Sequence, residues 1–212
     1  MKKILLILAF ALILGLSVSP AAAKESSGDK SFDKALTLLE DIGAAGGESL
    51  EADSEISRIE FIKLLISSLG TEYSVSYTTG AFGDVSAKDS GYDELHFAAN
   101  MGLVAPADNF FPQRTVTLAE AAKITAVLLG YDVKAGYMGG YPSGYLAVAG
   151  ELGILKGIAA QKEELTQRQA YKLIYNTLNA KLVRTSFGSG NYSRIADSNE
   201  TIMSFFHKAR LV

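Results

Sequence analysis

Apolar and polar positions along this chain repeat with a helical period that begins, runs and stops in the same way three times. The starts are Ile56-Ser57-Arg58-Ile59-Glu60, Val116-Thr117-Leu118-Ala119-Glu120 and Leu165-Thr166-Gln167-Arg168-Gln169. In each, a hydroxyl residue is followed three places later by Glu or Gln, so the two side chains can satisfy each other's backbone N–H groups as a helix opens. The predicted capping boxes are therefore Ser57 with Glu60, Thr117 with Glu120 and Thr166 with Gln169. Counting on from the caps, the sixth place holds Lys63, Lys123 and Lys172, and the seventh holds Leu64, Ile124 and Leu173. The thirteenth holds Gly70, Gly130 and Asn179, residue types that tolerate the left-handed turn ending a helix.

A second apolar stripe lies upstream of each cap. Leu36, Leu95 and Leu146 stand seven residues before Gly43, Gly102 and Gly153, with further apolar residues five and four before. That spacing is one face of a helix that stops at the glycine. The unit is helix, glycine stop, loop and capped helix. The reading is an all-α chain of three helix-loop-helix repeats, at about 32–70, 82–130 and 141–180, sharing one core. Asn199 to Leu211 places Ile202, Phe205, Phe206 and Ala209 on one face, which predicts a C-terminal helix docked on the bundle.

The flanks are read from composition. Lys2 and Lys3, an apolar run from Ile4 to Val18, and Pro20-Ala21-Ala22-Ala23 have the order of a secretory signal peptide over residues 1–23. Residues 24–31 are a polar linker, and residues 184–212 read as a polar loop followed by the terminal helix. No membrane span is expected after cleavage. With no cysteine there are no disulfides and no lipid-anchored start to the mature chain, so stability must come from burial. A formal charge of −3 without a basic cluster argues against nucleic acid as a partner. Tyr73, Val75 and Tyr77 alternate with polar residues as a short extended segment does. Tyr137 to Tyr145, dense in Gly and Tyr, reads as an irregular entry loop or an exposed aromatic platform.

Catalytic constellations are absent from the sequence. The two histidines, His96 and His207, lie apart in predicted helices and read as surface or half-buried residues, and no metal-ligand spacing is present. The acidic loop around Glu48 to Asp53 lacks the alternating ligands of a calcium-binding hand. Neither an enzyme, a cofactor nor a metal site is expected.

The second repeat carries further motifs in fixed order: Phe82-Gly-Asp-Val85, Met101-Gly-Leu-Val104, Phe111-Pro112 and Val116-Thr-Leu-Ala-Glu120. This series resembles the surface-layer homology (SLH) domain, whose pattern runs F-x-D-V, an aromatic-led helix, a glycine stop, F-x-P and T-R-A-E. The resemblance covers residues 32–183, more weakly in the third repeat, and the first lacks F-x-D-V. It implies a pseudo-threefold helical bundle that holds a secreted protein non-covalently on a cell-wall polysaccharide, often pyruvylated, at the surface of a thick-walled bacterium. In that family the arginine after the cap is the cation for the anionic sugar. Arg58 keeps it, while Leu118 and Gln167 replace it. Arg168 is one place further, about 100° around the helix. By family position the ligand-binding residues are Arg58, Asp84 and Tyr92, Tyr92 standing where the family has Trp. The Lys63, Lys123 and Lys172 series reads as a solvated face. Two functions are compatible with one arginine in three: carbohydrate attachment at Arg58, or a degenerate structural or protein-interaction unit of the envelope.

Overall fold

A computed structural model describes residues 28–46, 50–70, 82–159, 163–188, 191–195 and 199–204. The signal segment and the extended segment around Tyr73 to Tyr77 fall outside these residues, as does most of the terminal helical stripe.

The three capping boxes form. Ser57, Thr117 and Thr166 have extended backbone, each side chain accepts from the N–H three residues on, and Glu60, Glu120 and Gln169 return the bond. The helices they open are α2 (Arg58–Ser67), α4 (Leu118–Leu128) and α7 (Gln167–Asn179). The first helices of the repeats are α1 (Lys30–Asp41), α3 (Tyr92–Asn100) and α6 (Ser143–Glu151). Each ends two residues before a glycine in the left-handed region, Gly43, Gly102 and Gly153 at φ 77°, 73° and 74°, where a side chain would be strained.

Three details differ from the sequence reading. Asp29 caps α1 through Ser31 and Phe32, so the polar lead-in already belongs to the helix by its end. A short helix, α5 (Asp132–Tyr137), precedes α6, and α6 itself begins at Ser143, within the stretch read as an irregular loop. Residues 184–195 are not a plain loop. β1 (Arg184–Gly188) and β2 (Asn191–Ile195) pair as an antiparallel hairpin with Arg184 opposite Ile195. The class remains helical. Thr201 and Ser204 exchange backbone-to-hydroxyl bonds of 2.9 and 3.0 Å, a reciprocal cap at the start of the predicted C-terminal helix.

The residues just before the caps join the repeats. Val116 N–H donates to the Ile56 carbonyl, Ile56 N–H to that of Leu165, and Leu165 N–H to that of Val116, at 3.0 to 3.1 Å. A second ring runs outside the first: Arg58 N–H to Arg114 O, Leu118 N–H to Glu163 O and Gln167 N–H to Ser54 O, at 2.7 to 2.8 Å. Ile56, Val116 and Leu165 are buried, so these backbone groups find each other instead of water.

Helices pair between repeats. α2 packs on α3, α4 on α6 and α7 on α1. Each capped helix thus covers the first helix of the next repeat, and α7 returns to the first. Gly91 makes one contact possible, because a Cβ there would lie 2.8 Å from the Ile59 side chain. The core contains Leu39, Phe61, Leu65, Leu95, Ile154, Leu173 and Leu178, all essentially inaccessible. No described helix is long and apolar enough to cross a membrane.

Candidate functional site

The between-repeat pairing sets the residue after each cap, Arg58, Leu118 or Gln167, against the loop of another repeat, giving three corresponding junctions, or grooves. The groove at Arg58 combines α2, the loop before Thr117, the first turns of α4 and the entry to α6.

Arg58 is largely buried, with 18% of its side chain exposed. Its Nε donates to the Phe110 carbonyl at 3.0 Å, Nη1 reaches Glu120 Oε1 at 2.5 Å, and its guanidinium lies 4.6 Å from the Phe110 ring centre. Arg114 Nη2 donates to the same Glu120 oxygen. The other oxygen of Glu120 takes the Thr117 N–H at 3.0 Å. One carboxylate therefore closes a helix cap and holds two guanidiniums. Burial works to raise the Glu120 pKa, but the Arg114 bond, the Thr117 N–H and the Arg58 charge outweigh it and hold the group below its ordinary value. Burial lowers the pKa of Arg58 against the opposing pull of Glu120, yet a guanidinium stays charged.

Asp84 acts on the same loop from the other side. Its two oxygens accept the N–H groups of Phe110 and Phe111 at 2.8 and 2.7 Å. Phe111 is consequently held at φ 58°, unusual for a bulky residue, with its ring 59% exposed. Burial pushes the Asp84 pKa up, and the two N–H donors and Arg58 bring it below the ordinary value. Arg58 and Asp84 thus grip the carbonyl and the N–H of one residue, Phe110. Tyr92 joins more remotely: its ring stacks on His96 at 4.3 Å, and His96 lies 6.3 Å from Phe82, which in turn is 5.5 Å from Phe110. His96 is 1% exposed and buried, not at the surface, because α3 turns that face onto the core.

Of three further residues at this groove, the sequence reading passes over Arg114, sets Lys123 on a solvated face and includes Tyr141 in a stretch read as an irregular entry loop or an exposed aromatic platform. Arg114 comes from the loop, Lys123 from α4 and Tyr141 from just before α6. Lys123 Nζ sits 5.7 Å from the Tyr141 ring centre, and Tyr141 is within electrostatic reach of Arg58. The lysine series was the available signal. All three reach the entry of the next repeat's first helix: Lys63 bonds Ser90 Oγ at 2.9 Å, Lys172 bonds Asp29 Oδ2 at 3.1 Å, and Lys123 covers Tyr141. Each therefore has a fixed partner and is not simply a solvated face.

The other two grooves share the frame without an arginine after the cap. At Gln167 a cavity of 160 Å³ is lined by Glu60, Lys63, Leu64, Gln167 and Tyr171, among others. At Leu118 the carboxylate is replaced by Gln169, whose amide donates to Ala159 O at 2.9 Å, and Lys172 is paired with Asp29. Arg168 turns elsewhere: it is paired with Asp53 and lies 4.6 Å from the Phe32 ring centre.

Comparison with known proteins falls on the same repeat. The family model for the S-layer homology domain matches residues 81–122, from the residue before Phe82 to α4. Residues 81–122 are similar to the S-layer homology domain. The S-layer homology segment thus supplies Asp84, Phe110, Arg114 and Glu120, while Arg58 comes from the repeat before it. The chain is also 27% identical over 223 residues to a "Middle cell wall protein" of Brevibacillus brevis, covering 98% of this chain and 21% of that protein. Over 220 residues it is 27% identical to a "Surface layer protein" of Brevibacillus choshinensis, covering 98% of this chain and 19% of the relative. It thus spans about a fifth of the length of these relatives.

Proposed function

We propose that this chain is a secreted, non-catalytic cell-wall attachment module, a pseudo-threefold bundle of three repeats that binds an anionic wall polysaccharide in the groove at Arg58. One observation carries the reading. Arg58 and Arg114 share the carboxylate of Glu120, while Lys123 from the same helix lies over the exposed Tyr141 ring, which is within electrostatic reach of Arg58. An acidic sugar, such as one bearing a pyruvate ketal, needs fixed N–H donors for its carboxylate and an apolar surface for its ring. Among the described residues no acceptor takes Arg58 Nη2 or Lys123 Nζ, so both have donor capacity to offer. The relatives named for the cell wall and the surface layer support the location.

The second reading, a degenerate envelope unit without carbohydrate binding, is favoured by Leu118 and Gln167 and by the internal engagement of Arg58 with Glu120. Co-sedimentation with purified cell-wall sacculi decides between them. The attachment reading expects the wild-type chain to sediment and Arg58→Ala, Arg114→Ala and Lys123→Ala each to weaken it, most at low salt. Sedimentation unaffected by all three substitutions removes the groove as the site. A wild-type chain that stays in solution supports the degenerate unit.

A further inference from the structure

Six large apolar side chains are markedly exposed among the described residues, and four of them, Val133, Tyr137, Met138 and Tyr141, fall on α5 and the turn after it. Exposed apolar residues gathered in this way mark binding surfaces more often than scattered ones do. Tyr137 is the extreme case at 89% exposed.

The support beneath the patch is rigid. Ala135 is fully buried and Tyr131 nearly so. Gly140 N–H donates to Ala135 O at 2.9 Å, and Gly144 N–H donates to Gly140 O at 2.7 Å. A Cβ on Gly144 would sit 2.1 Å from the Ala135 carbonyl oxygen, so α6 starts directly against the end of α5. Lys134 and Glu151 tie α5 to α6 with an ion pair. The backbone that carries the exposed tyrosines is therefore fixed by packing and hydrogen bonds, which limits the ordering cost of binding to the side chains themselves.

We propose that Tyr137 and Tyr141 form a stacking platform for uncharged sugar units that continue from the acidic unit held at Arg58. The inference rests on the attachment reading and names what lies next to its anionic site. Tyr141 provides the continuity, since its ring is covered by Lys123 and it lies within electrostatic reach of Arg58. The ring's open surroundings, with no charged partner at Tyr137, suit the C–H face of a pyranose, which is apolar while its rim is polar. The turn between the two tyrosines is Met138-Gly139-Gly140, with both glycines in the left-handed region.

The test uses the full chain and wall polysaccharide released from sacculi, by titration at low and at high salt. Tyr137→Ala should weaken binding about tenfold and to the same extent at both salt concentrations, because stacking is not ionic. Tyr137→Phe should bind as the wild type does. The chain has no tryptophan, so Tyr137→Trp supplies a single tryptophan whose emission, excited beyond the tyrosine absorption, should change when the polymer is added. If Arg114→Ala weakens binding and Tyr137→Ala does not, the platform is overturned while the attachment reading stands. If Tyr137→Ala acts only by dissociating a self-associated species in the absence of polymer, the patch belongs to a second copy and the proposal fails. If the wild type binds no polymer, both fail together.

Discussion

The grooves at Arg58 and at Leu118 have the same backbone and opposite chemistry. In both, the residue after a cap donates its N–H to a carbonyl of the next repeat's loop, and a hydroxyl with an N3 partner opens the neighbouring helix. At Arg58 the N3 residue is Glu120, and its charge organises two arginines. At Leu118 it is Gln169, which turns to a backbone carbonyl, while Lys172 is neutralised by Asp29. The frame therefore requires the cap, and the proposed attachment would require the charge placed on it. A repeat can lose the second without losing the first.

The sharpest way to break this comparison is to remove the N3 side chain from both grooves. Glu120→Ala leaves the largely buried Arg58 facing Arg114 without a counter-charge and also opens a cap, so it should cost about 3 kcal/mol. Gln169→Ala loses only a cap and should cost about 1 kcal/mol. Urea unfolding midpoints at neutral pH give both numbers, and equal losses would mean that the carboxylate plays no special part.

The caps themselves should be interchangeable. Thr117→Ala and Thr166→Ala are each expected to lose about 1 kcal/mol, since each removes a hydroxyl oxygen that accepts an N3 N–H at 3.3 Å. A clear inequality in thermal melts would show that one repeat bears more of the fold than the other.

Acid titration separates the grooves by partner. Asp29 has a strongly lowered pKa, first through the Ser31 hydroxyl bond and then through Lys172. A carboxylate with a depressed folded pKa contributes stability above the ordinary aspartate value, and that contribution is lost as pH falls below it. Asp29→Asn should therefore flatten the fall in melting temperature between pH 5 and pH 3. An unchanged slope would show that neither the Ser31 bond nor the Lys172 pair holds the Asp29 carboxyl down in solution.

The smallest effect on stability should come from Gln167→Arg, within about 0.5 kcal/mol because the position is at a partly exposed helix start. It restores a cation near Glu60 and Lys63. Sacculi binding that increases at low salt would show that charge alone separates a binding groove from a silent one.

Local order was readable from residue types. Each cap is an exchange between residues three apart, and each stop needs one residue that accepts positive φ, so Ser57, Thr117, Thr166, Gly43, Gly102 and Gly153 could be placed without knowing their neighbours. Arg58 was identified from a family pattern, but the reason it is held in place was not visible. Its partners, Phe110 and Glu120, come from the next repeat. Tyr137 was legible only as one residue in a Gly-Tyr stretch, because its exposure depends on Ala135 and Gly144 packing beneath it.

By itself, then, the sequence determined where the three capped helices begin and where the first helix of each repeat stops, because capping is satisfied within one turn. Only the tertiary structure decided that each capped helix pairs with the following repeat, closing a ring of backbone bonds through Ile56, Val116 and Leu165. It also decided which groove gathers positive charge. Charges interact through space at short range, and the residues that meet around Glu120 are far apart along the chain.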